Sequence, residues 1–241
     1  MISRTLRPAG SSRFVLICDH ASNHVPEELH GLGLPASELQ RHIAWDIGAA
    51  AVTEGLSEIL DAPAVLCGVS RLVIDCNRHH NASGLIPEVS DGTVIPGNLK
   101  LSEADRAARI ERYFQPYHAA VEAVMRRESE PILISMHSMT PSLAGVARTC
   151  QISLSSYVDR RLTDPMLAAL RAWGDIAVGD NDPYDLDPTF DFSTPYHALQ
   201  RNLLHLQVEI RQDEIGDAVG QRWWAERIAK TLTSAMERVT L

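Results

Sequence analysis

Histidine and acidic side chains follow two apolar segments of the sequence. The segment Phe14–Cys18 is an unbroken apolar run that leads directly into Asp19 and His20. Residues 131–136 form a second, nearly continuous apolar run, which leads into His137. Runs of this kind are typical of buried strands, and open α/β proteins build their sites at the carboxyl ends of strands. We therefore expect the two histidines to meet in one shared pocket.

Asp46 and Glu27 are the acidic residues that can complete a metal site with these histidines. Two imidazoles and one carboxylate, with one coordination position left for water, are typical of a catalytic zinc site. Asp46 shares a helical face with Ile43 and Ala50, where an unpaired carboxylate is costly unless a cation or an arginine meets it. The alternative is that Asp46 lies at the edge of this face and forms an outward salt bridge. Strand-terminal histidines are also often structural, so the metal site is a hypothesis.

The segment 204–211 has the most regular strand pattern in the chain. Its apolar residues, Leu204, Leu206, Val208 and Ile210, alternate with His205, Gln207, Glu209 and Arg211. Glu209 is a candidate general base, because a carboxylate next to an activated water can accept its proton and return it to a leaving amine. The alternative is a solvent-facing Glu209 that pairs with Arg211 or Arg201.

A group of anion-binding side chains surrounds a short apolar segment. Residues 72–76 are predicted to form a strand, and Arg71, Asn77 and Arg78 flank it. Guanidinium and amide donors match the geometry of a substrate carboxylate. Either arginine can instead pair with Asp75, which lies in the same segment.

Amphipathic segments alternate with these strands along the chain. Helical spacing and capping residues predict helices over residues 35–60, 102–127, 160–173 and 219–239, with a kink or break at Pro116. Residues 82–98 and 180–195 lack periodicity and are predicted to be functional loops. The alternation predicts an α/β fold with a mixed, largely parallel sheet.

Composition restricts the class of protein. The chain has 241 residues, of which 45% are hydrophobic, and no linker-like segment divides it, so we expect one domain over residues 1–241. A net charge of -9 argues against a nucleic-acid or anionic-membrane partner and favours a small-molecule substrate. No signal peptide or apolar span is evident, so we expect a cytoplasmic protein. The four single cysteines are expected to be buried thiols.

Five segments together resemble the N-formylglutamate amidohydrolase family: residues 18–22, 45–49, 70–78, 136–139 and 207–210. The resemblance implies a three-layer α/β/α fold similar to that of zinc-dependent exopeptidases of the carboxypeptidase type. It also implies a hydrolase that uses Zn²⁺ or another divalent metal, with His20 and His137 as ligands and Glu209 as the base. Asp46 is the favoured third ligand and Glu27 the alternative.

The same resemblance suggests a substrate class. Asn77 and Arg78 are similar to the Asn-Arg pair with which zinc carboxypeptidases hold a substrate carboxylate, and Arg71 is expected to assist them. The implied substrate is an N-acyl amino acid, most simply N-formylglutamate, which would be cleaved to formate and glutamate. Two alternatives are a carboxypeptidase-like amidohydrolase of another substrate and a metal-free carboxylate-binding protein on the same scaffold.

Overall fold

A seven-stranded sheet lies at the centre of the computed structural model, which describes residues 1–143 and 145–239. The strands in chain order are β1 (Ser3–Leu6), β2 (Phe14–Cys18), β3 (Ala64–Cys67), β4 (Val89–Ser90), β5 (Thr93–Val94), β6 (Ile132–Met139), β7 (Ser142–Leu143), β8 (Val146–Ala147), β9 (Ile152–Ser155), β10 (Val178–Asp180) and β11 (His205–Arg211). Strands β4 and β5 form a separate hairpin, and so do β7 and β8.

The strand order in the central sheet is β1-β3-β2-β6-β11-β9-β10. The four inner strands β3, β2, β6 and β11 run parallel to one another. At the two sides, β1 is antiparallel to β3, and β9 is antiparallel to β11 and parallel to β10. The sheet is therefore mixed and mostly parallel, which confirms the prediction. Parallel neighbours bring the carboxyl ends of β2, β6 and β11 to the same edge.

Helices cover both faces of this sheet. They are α1 (Ala49–Leu60), α2 (Glu103–Arg109), α3 (Gln115–Met125), α4 (Thr163–Arg171), α5 (Ser193–His197) and α6 (Ala218–Met236). Residues of α1, α4 and α6 pack with Leu16, Ile134 and Val208 in one buried cluster. Residues of α3 pack with Val15, Ile17 and Leu133, the alternate positions of the same strands, in a second cluster. The predicted three-layer α/β/α arrangement is thus confirmed. Among residues 1–143 and 145–239, every helix is too short or too polar to span a lipid bilayer.

The helix predicted over residues 35–60 begins only at Ala49. Gly48, just before it, has a φ of 82°, which only glycine adopts at little cost. A Cβ atom there would lie 2.3 Å from the carbonyl oxygen of Ile215, so no other residue fits. The prediction was wrong for residues 35–48, and Asp46 lies in the loop before α1 instead of on a helix. Its backbone N–H donates to the carbonyl of His20 at 2.9 Å.

The strand predicted over residues 72–76 is also wrong. These residues are buried, as expected, but they form turns, with the N–H of Val73 bonded to the carbonyl of Ser70. Side chains take the place of a sheet ladder: Asn98 donates to the carbonyl of Leu72, and Arg109 to that of Val73. An apolar run shows only that a segment is buried; it does not show which partners satisfy its backbone.

The helix predicted over residues 102–127 forms in three parts. Ser102 and Asp105 cap its start with reciprocal hydrogen bonds. A π-helical segment, Ile110–Phe114, joins α2 to α3 and ends two residues before Pro116. Proline has no N–H to donate, and the irregular turn next to it confirms the predicted break. The four cysteines are buried thiols, as expected.

Candidate active site

His20, Asp46 and His137 converge at the carboxyl edge of the sheet. His20 follows β2, His137 lies on β6, and Asp46 comes from the loop before α1. Asp46 Oδ2 lies 2.9 Å from His137 Nδ1 and 3.3 Å from His20 Nδ1. One ligand atom from each residue lies within 4.8 Å of the others, and all three residues are buried. The structure therefore brings together the histidines and the carboxylate that we favoured as a ligand set.

The opposite ring nitrogens of both histidines face further carboxylates. His20 Nε2 lies 2.8 Å from Asp75 Oδ1. His137 Nε2 lies 3.0 Å from Ser135 Oγ and 3.5 Å from Asp19 Oδ2. Metal-binding histidines usually give their second nitrogen to such a group, which fixes the ring and makes it a stronger ligand. This arrangement, with one carboxylate behind each ring, fits a divalent cation held by His20, Asp46 and His137.

Asp19 and Asp46 are held as anions by the protein. Burial alone would raise the pKa of Asp46, but His20 and His137 outweigh burial and lower it well below its usual range. The pKa of Asp19 is lowered in the same way by His137 and His20. Asp19 also accepts hydrogen bonds from Tyr117 Oη at 2.9 Å and from Ser193 Oγ at 2.6 Å. These buried anions can offset the charge of a bound cation.

The same carboxylates act on the histidines. Burial lowers the pKa of His20, and Arg71 lowers it further, but Asp75 and Asp46 raise it more. For His137, burial is likewise opposed and outweighed by the hydrogen bonds to Asp19 and Asp46, and its pKa is raised. The neighbouring charges, more than burial, therefore decide the electrostatics of this centre.

Glu209 stands next to this centre on β11. It lies directly opposite His137 in the parallel β6–β11 register, and it is 7% exposed. Burial raises the pKa of Glu209 to about 7, although His137 acts in the opposite direction. A carboxyl group with a pKa near neutrality can both accept and return a proton. The alternative of a solvent-facing Glu209 is wrong, because the residue is buried.

Arg71 is already engaged by two acids of the centre. Its Nη2 and Nε lie 2.7 Å and 3.1 Å from Asp75 Oδ2, and its Nη1 lies 3.5 Å from Asp46 Oδ1. The possibility that an arginine pairs with Asp75 thus holds for Arg71. Its guanidinium lines the cavity and at the same time fixes the two carboxylates that face His20.

Asn77 and Arg78 play different parts in the structure. Asn77 Oδ1 accepts the backbone N–H groups of Phe192 and Ser193, and its Nδ2 donates to Asp191 at 3.0 Å, so the amide holds this loop in place. Arg78 uses Nη1 for Asp191 Oδ1, at 3.1 Å, and for a backbone carbonyl. Within residues 1–143 and 145–239, the Nε and Nη2 groups of Arg78 make no hydrogen bond, which leaves them for a ligand.

One cavity of about 400 Å³ joins these groups. Its lining includes all the predicted site residues except Glu27, namely His20, Asp46, Arg71, Asn77, Arg78, His137 and Glu209. Glu27 is exposed in a short 3-10 turn and lies outside the His20–Asp46–His137 group. The loop after β10 forms one wall of the cavity with Tyr184, Asp185 and Phe190. The cavity is large enough for a small-molecule substrate.

Several residues of the site were not predicted from the sequence. Asp19 and Asp75 carried a usable signal, because one directly precedes His20 and the other lies between Arg71 and Asn77. Asp191 carried none, because it is part of an irregular loop. Gln207 lies in the resembling segment 207–210 and at an alternating polar position of a strand, but neither feature indicated a role for it. Their role depends on contacts between distant segments, which local spacing does not encode.

Solved structures include two close matches to this fold. The gene product Atu2144 from Agrobacterium tumefaciens is 33% identical and superposes with a TM-score of 0.95, covering 99% of this chain and 96% of that one. N-formylglutamate amidohydrolase from Ralstonia eutropha JMP134 is 19% identical, with a TM-score of 0.78 over 99% of this chain and 98% of that one. At this lower identity, the second likeness shows the fold alone.

Comparison with sequence families gives a match that spans most of the chain. No curated protein sequence matches it. The family model for N-formylglutamate amidohydrolase matches residues 12–216, a range that includes every predicted site residue. The resemblance of the five segments is thereby confirmed, and the chain belongs to the N-formylglutamate amidohydrolase family.

Proposed function

We propose that this protein is a metal-dependent amidohydrolase that removes the acyl group, most simply a formyl group, from an N-acyl amino acid. N-formylglutamate, the substrate in the family's description, is the first compound to test. The observation that supports the proposal most strongly is the meeting of His20, Asp46, His137 and Glu209 in one buried, ligand-sized cavity.

His20, Asp46 and His137 would hold the metal, with Zn²⁺ the leading candidate. Imidazole nitrogen and carboxylate oxygen suit this borderline-soft ion, and the carboxylates behind both rings orient them for binding. A divalent cation in such a site polarises a substrate carbonyl and lowers the pKa of water. The chain's own residues then do the positioning and the proton transfer.

Glu209 is proposed as the general base and acid. Its buried carboxyl group, whose pKa is about 7, takes a proton from the attacking water and passes it to the nitrogen of the leaving amino acid. The amide bond between the acyl carbon and this nitrogen breaks as the new carbon–oxygen bond forms. The products are the free carboxylic acid, formate in the simplest case, and the amino acid.

Arg78 is proposed to bind the α-carboxylate of the substrate. Its Nε and Nη2 groups are free of hydrogen bonds within the described residues and can bind a carboxylate. Its position is fixed by Asp191 and by Phe190, whose ring centroid lies 3.7 Å from the guanidinium carbon. Asn77 supports this site by holding the loop that carries Asp191. Arg71 contributes through its ion pairs with Asp75 and Asp46, which fix the metal-binding residues.

Metal analysis combined with a substrate panel tests the proposal. Purified protein is stripped with a chelator and reloaded with Zn²⁺, and the bound metal is measured by elemental analysis. Release of free amine is then followed with N-formyl and N-acetyl derivatives of several amino acids, N-formyl-L-glutamate among them. We expect hydrolysis that depends on the metal.

The alternatives give different results in the same experiment. A carboxypeptidase-like enzyme would cleave dipeptides in preference to every N-formyl compound. A metal-free carboxylate-binding protein would retain no metal and would bind substrates without turnover. Failure to hydrolyse any member of the panel, with one equivalent of metal bound, would contradict the proposed function.

A further inference from the structure

Three large apolar side chains of the cavity lie partly open to solvent. Leu143, Tyr184 and Phe190 are 45%, 40% and 50% exposed, and all three line the cavity. A single exposed apolar residue is common on a protein surface, but several around one ligand-sized cavity are typical of a binding site. We call these three residues the apolar lining. The proposed reaction gives Phe190 only a supporting contact with Arg78 and gives the other two no role.

Phe190 lies next to the group that we assign to the α-carboxylate of the substrate. Its ring centroid is 3.7 Å from the guanidinium carbon of Arg78. The turn that carries the ring is closed by the N–H groups of Phe190 and Asp191, which donate to the carbonyl of Asp187 at 2.9 Å and 2.7 Å. Asp191 in turn pairs with Arg78. The ring is therefore held in place before a substrate binds, which lowers the entropy cost of binding.

Tyr184 and Leu143 come from two segments that Arg148 connects. Leu143 ends β7, and Arg148 follows β8 and closes the hairpin by donating its backbone N–H to the carbonyl of Pro141 at 2.8 Å. The guanidinium of Arg148 donates to Tyr184 Oη and lies 4.8 Å from the centroid of that ring. The carbonyl of Tyr184 accepts from Ser155 Oγ at 2.7 Å. These contacts tie Tyr184 to the base of the hairpin that carries Leu143.

The charges of the cavity do not favour a second carboxylate on the substrate. In the part of the chain that the structure describes, its lining contains two arginines and no lysine. Arg71 is paired with Asp75 and Asp46, and Arg78 is assigned to the α-carboxylate. Asp185, which also lines the cavity, adds a negative charge. An acidic side chain would lose its hydration here without gaining a free cation, whereas an apolar side chain needs none.

We propose that the apolar lining binds the side chain of the substrate, so that the enzyme selects N-acyl amino acids with a large apolar or aromatic side chain. In the proposed reaction, the α-carboxylate lies at Arg78. The side chain branches from the carbon that carries this carboxylate, so it begins close to Phe190. Burial of apolar atoms against the lining is favourable, and an aromatic ring can also pack on the rings of Phe190 and Tyr184. This inference rests on the proposed function for the reaction itself.

A series of N-formyl compounds tests the selectivity. N-formyl-L-leucine and N-formyl-L-aspartate have side chains of the same shape, which differ in polarity and charge. With the zinc-loaded enzyme, we expect kcat/KM to be about 10- to 100-fold higher for the leucine derivative, and higher again for N-formyl-L-phenylalanine. N-formyl-L-glutamate should react as slowly as the aspartate derivative. A preference for either acidic compound, or values within about threefold of one another, would overturn the inference.

Substitution of Leu143 tests the lining. Leu143→Asn keeps the shape of the side chain and makes it polar, so kcat/KM for N-formyl-L-phenylalanine should fall about five- to tenfold, while that for N-formyl-L-alanine stays within about twofold. Leu99→Asn, at a comparably exposed leucine outside the cavity, is the matched control and should change neither value. An unchanged ratio in folded Leu143→Asn protein would overturn the inference. If that variant does not fold, Tyr184→Ala replaces it with Tyr157→Ala as its control, and the same outcomes apply.

A binding measurement separates this inference from the proposed function. The Glu209→Gln variant, loaded with zinc, is titrated by calorimetry with N-formyl-L-phenylalanine and N-formyl-L-aspartate. Tighter binding of the phenylalanine derivative, with no hydrolysis of either compound by the wild-type enzyme, would support the inference and contradict the proposed reaction. Hydrolysis of both compounds with equal affinity would support the reaction and overturn the inference. Binding of neither compound would overturn it as well.

Discussion

Two pairs of histidines are buried in the protein, and their surroundings differ. His20 and His137 have ring centroids 5.1 Å apart, and those of His118 and His197 are 5.2 Å apart. Carboxylates surround the first pair, whereas the aromatic rings of Phe114 and Phe192, among others, surround His118. Burial by itself disfavours a charged imidazole in both places.

The difference in surroundings shifts the pKa values of the two histidine pairs in opposite directions. The carboxylates raise the pKa of His20 and His137 in spite of burial. Burial, followed by the neighbouring His197, lowers the pKa of His118 to about 3. A neutral His118 donates from Nε2 to the carbonyl of Cys76 and accepts at Nδ1 from His197 Nε2, 3.0 Å away. His197 Nδ1 faces Glu122 Oε2 at 3.5 Å, yet burial lowers the pKa of His197 as well. Several carboxylates around the rings, and not burial or a single acid, therefore distinguish His20 and His137 from His118 and His197.

The largest loss of zinc and of hydrolytic activity is expected from replacing a histidine of the first pair, His20 and His137. His137→Ala should lose the bound zinc and reduce amide hydrolysis to the background rate, because one of the three proposed ligands is removed. Zinc content after dialysis and the rate with the best N-formyl substrate measure the outcome. His24→Ala, at an exposed histidine outside the cavity, should change neither. Zinc retained at full occupancy by His137→Ala would show that the centre lies elsewhere.

The two candidates for the third ligand are separated in the same assay. Asp46→Asn should lose zinc, because Asp46 Oδ2 lies within 3.3 Å of both ligand nitrogens. Glu27→Gln should retain it, because Glu27 is exposed and lies apart from the centre. The opposite pattern would make Glu27 the ligand.

A large but metal-independent effect is expected at Glu209. Glu209→Gln preserves shape and removes the proton acceptor, so kcat should fall about 10²- to 10⁴-fold while zinc content stays unchanged. The free energy of unfolding should not fall, since a buried carboxyl group is replaced by a neutral amide. Glu58→Gln, on the exposed side of α1, is the matched control. A loss of less than threefold in kcat would exclude Glu209 as the base.

A smaller effect, on zinc affinity alone, is expected from replacing a carboxylate that faces the second ring nitrogen of His20 or His137. Asp75→Asn keeps the shape of the residue next to His20 Nε2 but removes its charge, so zinc affinity should fall about 10- to 100-fold. Competition with a chelator of known affinity measures the change. Asp213→Asn, at an exposed ion pair, should leave the affinity unchanged. Equal affinities in Asp75→Asn and the wild type would remove the distinction that we draw between the two histidine pairs.

The smallest effect concerns the second pair and appears only as a dependence on pH. The folded-state pKa of His118, about 3, lies below the ordinary value of 6.5, so the unfolded chain binds the proton more readily. Its contribution to stability is complete above pH 6.5 and is lost as pH falls towards 3. The free energy of unfolding should therefore decrease, with a slope that approaches about 1.4 kcal/mol per pH unit from this one group.

Replacement of His118 isolates that slope. His118→Gln should show a shallower decrease than the wild type in urea unfolding between pH 7.5 and 5, while His24→Gln should follow the wild type. Identical slopes in all three proteins would mean that His118 is not held neutral. The contrast between the raised pKa of His20 and His137 and the lowered pKa of His118 would then not hold.

The amino-acid order alone determined the layers and much of the chemistry. Apolar runs at Phe14–Cys18 and around residues 131–136, together with the alternation of β11, were sufficient for the three central strands β2, β6 and β11 and for their faces. His20, His137 and Glu209 followed from these strands, because a strand's period and its end fix where a side chain points.

Tertiary structure decided how the other side chains complete the site. Asp46 reaches the histidines from a loop because Gly48 packs against Ile215, more than 160 positions away in the sequence. Asp191 and Gln207 lie in the cavity because distant segments pack together around it. Hydrophobic periodicity specifies burial over a few residues, whereas the partners of a polar side chain depend on segments that meet only when the chain is folded.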